Sequence, residues 1–328
     1  MKRRTFQTAV AAACLAAGFA ASAPALAQTG GWPNKPVRLV VPFPAGGSTD
    51  VVARFIAQGL SDKFGQSFVV DNRGGAGGNI GTDAVAKAAP DGYTIGLSTS
   101  GPLVNNKFLY KNMPFDSDKD LAPIALVCEI PLVIASTPKV SAKNLKEFIQ
   151  QAKAKPDAYT VGQPGNGTIG HLALEQLSMV TNTKLSTVAY RGDTPLMTDL
   201  LGANIQGLSA PITAFIPNLA SGKLNGLAVT SATRFPGLPN IPTAKEQGID
   251  MVATVWFAVV GPAGTPPEVI KALNTEINNI VSSTYGKAKL QTYGAVVNVG
   301  APDLLRKMIN EDSKKWQKVI STANVKLD

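Results

Sequence analysis

The chain has 328 residues, 45% of them hydrophobic and 16% charged, with 31 Lys+Arg against 22 Asp+Glu and a formal net charge of +9. The basic excess is scattered, and no basic run is interleaved with aromatics, which argues against a nucleic-acid partner. The apolar run from Ala9 to Ala21 is too short and too alanine-rich for a membrane span and no later segment approaches the ~20 apolar residues one needs, and the length exceeds what one core usually serves, so two domains are expected.

Lys2, Arg3 and Arg4 lead into an alanine-rich apolar run from Ala9 to Ala21, and Ala25-Leu26-Ala27 supplies the small-residue pattern of a signal peptidase site. The mature chain is expected to begin near Gln28 and to be exported to the periplasm. Its leader removes three basic and no acidic residues, which leaves a net charge of +6. Arg3-Arg4-Thr5-Phe6 also resembles the core of a twin-arginine signal, so both export routes stay open. Cys14 does not make a lipoprotein site, because Ala11 stands where a larger aliphatic residue is needed. Cleavage leaves Cys128 alone, so no internal disulfide forms although the compartment permits one.

The first strand is read at Val37 to Pro42. Val41 to Arg54 then carries the chain through Gly46-Gly47 into a helix with Val52, Phe55, Ile56, Leu60 and Phe64 on one face. Such a junction suits an anion: glycines let a ligand approach the backbone, Ser48, Thr49 or Asp50 can cap the helix, and the first N–H groups point outward at the positive end of the helix dipole. The plainer alternative is a tight strand-to-helix turn with no ligand.

Next come a strand at Ser67 to Asp71, a glycine-rich turn at Gly74 to Gly78, a helix from Asn79 to about Ala89, a Pro90-Asp91-Gly92 turn and a strand at Thr94 to Ser98. Ile124 to Ser136 is a long apolar segment interrupted by Glu129 and Pro131, as suits a strand passing from one sheet to another. A second α/β half comes after it, with strands at Tyr159 to Gln163, Ser186 to Tyr190, Ile205 to Ser209 and Leu224 to Thr230. Its helices are read at Asn144 to Ala154, His171 to Val180 and around Thr194 to Leu201. After the apolar run Val252 to Gly261, helices at Pro267 to Ser282 and Asp303 to Thr322 return to the first half. The fold class is therefore α/β, two-lobed, with a signal peptide at 1–27, a first domain of 28–128 and 252–328, and a second of 129–251. Two crossings imply a hinge and a cleft.

Gly165-Asn166-Gly167-Thr168-Ile169-Gly170-His171 repeats the strand, glycine turn and helix in the opposite half, so two helix N-termini can hold one anion from both sides. It also satisfies G-x-G-x-x-G, with Asp193 about 20 residues beyond Gly170. Asp193 follows Tyr190-Arg191-Gly192 rather than ending a strand, and an exported chain rarely meets a nicotinamide cofactor. His171 is the only histidine. With no second histidine or cysteine beside it, the usual zinc and copper sets are missing, and no G-x-S-x-G elbow supplies a nucleophile. At the start of a helix its role is to hydrogen-bond the loop or a bound carboxylate. Arg191 either forks onto a carboxylate or makes a surface ion pair.

Trp32-Pro33-Asn34-Lys35-Pro36-Val37-Arg38 with Val41 to Arg54 after it resembles the opening of the Bug-type, TctC-like solute-binding proteins of tripartite tricarboxylate transporters. Asp71 to Gly81, Ala88 to Thr94, Gly165 to Gly167 with His171, Asp199 to Gly202, Leu227 to Ser231 and Gly261 to Pro266 continue the resemblance in order along nearly the whole mature chain. It implies a periplasmic two-lobed fold of the type II binding-protein kind that closes on a solute and delivers it to a permease of large and small membrane subunits. It also implies a monomer with no cofactor, no metal and no catalysis.

The resemblance further implies that one ligand carboxylate is gripped by Phe43, Ala45, Gly46, Gly47 and Ser48 together with Gly165, Asn166, Gly167, Thr168 and His171, with Arg191 nearby. Asp50 then braces its loop rather than touching the anion, because like charges repel. Ser98 to Gly101, with Ser100 and Gly101 foremost, and Ser209 to Thr213, with Ser209, Ala210 and Pro211 foremost, line the distal end.

Two departures bear on the ligand. Tyr190-Arg191-Gly192 stands where relatives commonly read Tyr-Lys-Gly, and Ser209-Ala210-Pro211 lacks the aspartate many relatives carry after that strand. This favours a plain, dicarboxylic or aromatic acid over an amino acid, with Phe43 available as a ring wall. The alternatives are an exported enzyme using His171 with a nearby serine or aspartate, and a nicotinamide or dinucleotide binder.

Overall fold

The computed structural model describes residues 31–155 and 158–327. The basic leader, the cleavage site after Ala27, the Arg3-Arg4 pair and Cys14 lie outside the described residues. From Lys35 onward the described residues form one compact unit.

Its strands are β1 (Val37–Val41), β2 (Phe68–Asn72), β3 (Thr94–Thr99), β4 (Leu121–Ser136), β5 (Thr160–Gln163), β6 (Ser186–Ala189), β7 (Gly207–Pro211), β8 (Asn225–Val229), β9 (Thr254–Pro262) and β10 (Val296–Val297). Their order is β2-β1-β3-β9-β4-β7-β5-β6, with β8 and β10 also on β4. Two parallel triplets, β2-β1-β3 and β6-β5-β7, flank an antiparallel β9-β4 pair. The result is a two-lobed α/β fold in which one curled sheet carries both halves.

β4 makes the passage. Residues Leu121 to Pro131 pair with β9, and Leu132 to Ser136 pair with β7 and β8. The change falls directly after Pro131, which has no N–H to donate. Glu129 is satisfied there by Thr254 Oγ1 at 3.0 Å and by the Asn298 side-chain amide. The interruption in the apolar run thus marks the change of partner.

The main helices are α1 (Ser48–Phe64), α2 (Asn79–Ala86), α3 (Asn106–Leu109), α4 (Leu145–Ala154), α5 (Ile169–Thr181), α6 (Asp193–Leu201), α7 (Ile216–Ala220), α8 (Pro267–Ser282), α9 (Thr284–Thr292) and α10 (Pro302–Ala323). α1 buries Val52, Ala53, Ile56, Ala57 and Leu60, at helical spacing, while Phe55 and Phe64 stay partly exposed. It ends at Gly65, whose φ of 67° is the left-handed cap that glycine adopts without strain. α10 buries Leu305, Ile309, Trp316, Val319 and Ile320. The core runs from Val40 and Leu103 through Trp256 and Trp316 to Phe148 and Leu172, and the Trp256 indole N–H donates to Asp312 at 2.7 Å, tying β9 to α10.

The structure differs from the sequence reading in three places. None of Ser48, Thr49 and Asp50 caps α1; the cap position is Gly47, with no side-chain hydrogen bond. The strand read at 205–209 lies two residues later, at Gly207–Pro211, preceded by Gln206, whose backbone already bonds Thr160 and Thr137 and whose side chain accepts from the Thr160 N–H at 2.9 Å. Beyond Ser100 the chain forms a π-helical turn, Gly101–Asn105, that runs into α3.

Candidate functional site

In an open α/β sheet, ligands gather outside the carboxyl ends of parallel strands. Here the residues after β1, β3, β5, β6 and β7 border a single cavity of about 590 Å³. Phe43, Pro44, Ala45 and Gly47 come from the β1–α1 loop with Ser48 and Thr49 from the start of α1, and Pro164, Asn166, Gly167 and Thr168 come from the β5–α5 loop with Ile169 and Gly170 from the start of α5. Thr99 to Gly101 come from the end of β3, and Asn105, Asn106 and Tyr110 from the helical turns beyond it. Gly192, Asp193 and Pro211 complete the far lobe, and Val255 and Phe257 of β9 form the floor.

The β1–α1 loop is held from behind. Asp50 is buried, and its Oδ2 accepts from the Gly46 N–H at 2.9 Å and from Arg54 Nε at 3.0 Å. Its Oδ1 accepts from Asn72 Nδ2 at 2.9 Å, and the same amide reaches the Phe43 carbonyl at 3.1 Å. Burial pushes the Asp50 carboxyl up, but hydrogen bonds from Arg54, Gly46 and Asn72 and the Arg54 charge outweigh it, so it sits below its ordinary value. Asp50 thus braces the loop and lies outside the cavity lining. Gly46 adopts φ +85°, and its N–H is consumed by Asp50, so it too lies outside the lining.

The β5–α5 loop closes on itself. The Gly165 N–H donates to Gln163 Oε1 at 2.6 Å, the Thr168 N–H to the Gly165 carbonyl at 3.2 Å, and the Gly167 N–H to His171 Nδ1 at 3.1 Å. Thr168 caps α5 by accepting from the His171 N–H. His171 therefore takes the Gly167 N–H at Nδ1 and lies with Nε2 3.5 Å from Glu175. It bonds the loop, one of the two roles the sequence left open for it, and neither it nor Gly165 borders the cavity.

Two sets of N–H groups remain. Those of Ser48, Thr49 and Asp50 at the start of α1, and of Ile169 and Gly170 at the start of α5, take no acceptor among the described residues. Ser48, Thr49, Ile169 and Gly170 all border the cavity. The glycines set up the approach, and the first turns of the two helices keep the open donors.

Of the sequence-proposed residues, Phe43, Ala45, Gly47, Ser48, Ser100, Gly101, Asn166, Gly167, Thr168 and Pro211 line the cavity. Arg191 is exposed and outside it. Ser209 and Ala210 are fully buried within β7, opposite Ile134 and Val133, because the strand runs past them. Ser98 is buried against Thr82 at 3.1 Å, and Thr213 turns to the Tyr293 carbonyl at 2.7 Å. Sequence reasoning missed Asn105, Asn106, Tyr110, Asp193, Val255, Phe257 and Leu327. Asn106 donates to the Gly77 carbonyl at 3.1 Å and to Asn79 Oδ1 at 2.7 Å. A Cβ on Gly77 would lie 2.8 Å from the Tyr110 hydroxyl, so the glycine turn after β2 underlies this wall. Leu327 hangs from Leu109 by a 3.1 Å backbone bond, and its side chain lies against Gly167.

The comparisons with known proteins agree with this architecture. Residues 52–325 match the model of the tripartite tricarboxylate transporter family receptor. Protein BugT of Bordetella pertussis is 38% identical over 308 residues, covering 93% of this chain and 94% of its own. Among solved structures, R. palustris Rpa4515 with adipate superposes with a TM-score of 0.80 at 35% identity, covering 90% of this chain and 100% of that one. The periplasmic binding protein BugD superposes with a TM-score of 0.76 at 34% identity, with 90% and 100% covered.

Proposed function

Because this chain belongs to the tripartite tricarboxylate transporter receptor family, we propose that it is a periplasmic receptor that captures a small carboxylate between its lobes and passes it, unaltered, to the membrane permease. One observation carries the reading: two helix N-termini, those of α1 and α5, bring acceptor-free N–H groups to the same cavity. That is the arrangement an anion needs, and its walls are otherwise mostly apolar. The ligand carboxylate sits between Ser48-Thr49 and Ile169-Gly170, beside Ala45, Gly47, Asn166, Gly167 and Thr168. Phe43, Ser100, Gly101 and Pro211 enclose the rest. Relatives solved with adipate and with malate support the class of solute.

The lobes are 28–128 with 252–328, and 129–251; closure turns about the two crossings, at Pro131-Leu132 and between β8 and β9. The receptor is exported with residues 1–27 removed and acts as a monomer without cofactor or catalysis.

A thermal-shift screen of the mature chain against mono-, di-, amino and aromatic carboxylates tests the reading. A ligand specific to the folded state adds about 2.7 kcal/mol at a hundredfold excess over its Kd, so one carboxylate class should raise the midpoint. Carboxylates that leave it unmoved, or any product formed from candidate esters and acids, would overturn the receptor assignment.

A further inference from the structure

Asp193 is the one residue lining the cavity that carries a formal charge at neutral pH; no Lys, Arg or His lines it among the described residues. It opens α6, and the Gly192 N–H before it donates to the Pro164 carbonyl at 2.9 Å, which fixes the start of α6 against the loop that opens α5. An acid in a first helical turn is commonly a solvated group favoured by the helix dipole. Asp193 does not fit that description, because its Oδ1 is buried and has no hydrogen-bond partner. Asp193 is half-buried, and a carboxylate partly withdrawn from water without a counter-charge is costly to keep. Burial accordingly pushes the Asp193 carboxyl above its ordinary range.

Asn105 is 1% exposed, borders the cavity from the π-helical turn after β3, and its Oδ1 also lacks a donor. The cavity therefore combines open donors at two helix N-termini with the Asp193 carboxylate, which no cation pairs among the described residues, while Asn105 Oδ1 is closed off inside the wall. A dicarboxylate would match the donors with one end, but its other end would find no cation and would face a like charge at Asp193. A zwitterion matches both sets.

We propose, on the premise that the cavity holds a carboxylate between α1 and α5, that the solute also carries an ammonium group which pairs with Asp193, making Asp193 the specificity-determining residue of a receptor for an amino-carboxylate. The sequence pointed away from amino acids because Ser209-Ala210-Pro211 offers no acid. The acid enters instead from the start of α6, across the loop from Pro164.

Calorimetric titration of the mature chain tests this with matched pairs: succinate, glutarate and adipate against compounds of the same length in which one carboxylate is an amine, together with the α-amino acids and their hydroxy-acid counterparts. The expected result is at least about tenfold tighter binding of an amino-carboxylate than of its dicarboxylate partner. Asp193→Asn, nearly isosteric, should weaken the amino-carboxylate by about 10- to 100-fold and leave the dicarboxylate equal or tighter. Asp193→Ser, checked for folding by circular dichroism, serves if the first variant does not fold. Tighter binding of a dicarboxylate or a hydroxy acid by the unaltered protein, with no gain in either variant, overturns the ammonium assignment and leaves the carboxylate receptor standing. Binding of neither class overturns both.

Discussion

Thr230 and Leu132 hold each other in both directions: the Thr230 N–H donates to the Leu132 carbonyl at 3.0 Å, and the Leu132 N–H donates to Thr230 Oγ1 at 3.2 Å. The Ala253 N–H meanwhile donates to the Thr230 carbonyl at 2.9 Å. One fully buried threonine thus ties the strand leaving the first half to the strand returning to it.

Thr230→Val keeps the shape and removes the hydroxyl, leaving the buried Leu132 N–H without its acceptor. The expected loss is about 1–3 kcal/mol in urea denaturation, largely restored in Thr230→Ser. A loss indistinguishable from zero would show that the pair does not secure the crossing.

Asp50 predicts an acid sensitivity. Its carboxyl is depressed in the folded chain, so its contribution to stability is fully present above the ordinary value of 3.8 and is lost as pH falls through the lower folded value. Asp50→Asn should therefore flatten the decline of stability below about pH 5. Asp50→Ala, which also frees the Gly46 N–H and the loop, should weaken ligand binding by roughly tenfold while costing about 1–3 kcal/mol of stability. Unfolding curves taken across pH, with titration of a bound carboxylate, measure both.

Gly167 adopts φ +73°, and an added Cβ would lie 2.6 Å from Leu327 Cδ1. Gly167→Ala should cost about 1 kcal/mol for the backbone alone and displace the Leu327 side chain. Leu327→Ala in the same chain should recover the packing part and leave the backbone part, a difference that a double-mutant cycle resolves.

Tyr190 donates to Asp199 at 2.7 Å. Burial first, and then that bond and the Asp199 charge, push the phenol from 10.0 to about 12. Its contribution to stability is therefore present below 10 and lost as pH rises toward about 12. In an ultraviolet titration one phenolate should ionise late, and Tyr190→Phe should remove that phase. A spectrum in which every phenol ionises near 10 contradicts it.

Cys128 is fully buried in β4, and burial, aided by the neighbouring Glu129 charge, raises its thiol far above the ordinary range. The native protein should resist thiol reagents, with one thiol per mature chain appearing on unfolding. Rapid labelling of native protein would place Cys128 at the surface.

The strand and helix order was legible because each half alternates short β-branched runs with apolar faces at helical spacing. Even the passage between halves showed, since Glu129 and Pro131 break a run that nothing else interrupts. The glycine loops were legible for a similar reason: positive φ and close approach are written in the residue type. What the sequence left open was direction and partnership. His171 comes after its loop in sequence, but whether its ring faces a ligand or Gly167 depends on a turn that composition does not encode. A two-residue shift of β7 buried Ser209 and Ala210 and left Pro211 at the rim. Asn106, Tyr110 and Leu327 reach the cavity through a π-helical turn and a C-terminal tail, neither of which carries a periodic signal.

β4 serves two sets of partners along one continuous backbone, so neither half can lose its central strand without fraying the other. Unfolding should therefore be a single calorimetric transition, with its van't Hoff and measured enthalpies in agreement, despite a chain of two-domain length. The chain is then either wholly folded or wholly unfolded, and one denatured half will not persist beside an intact one.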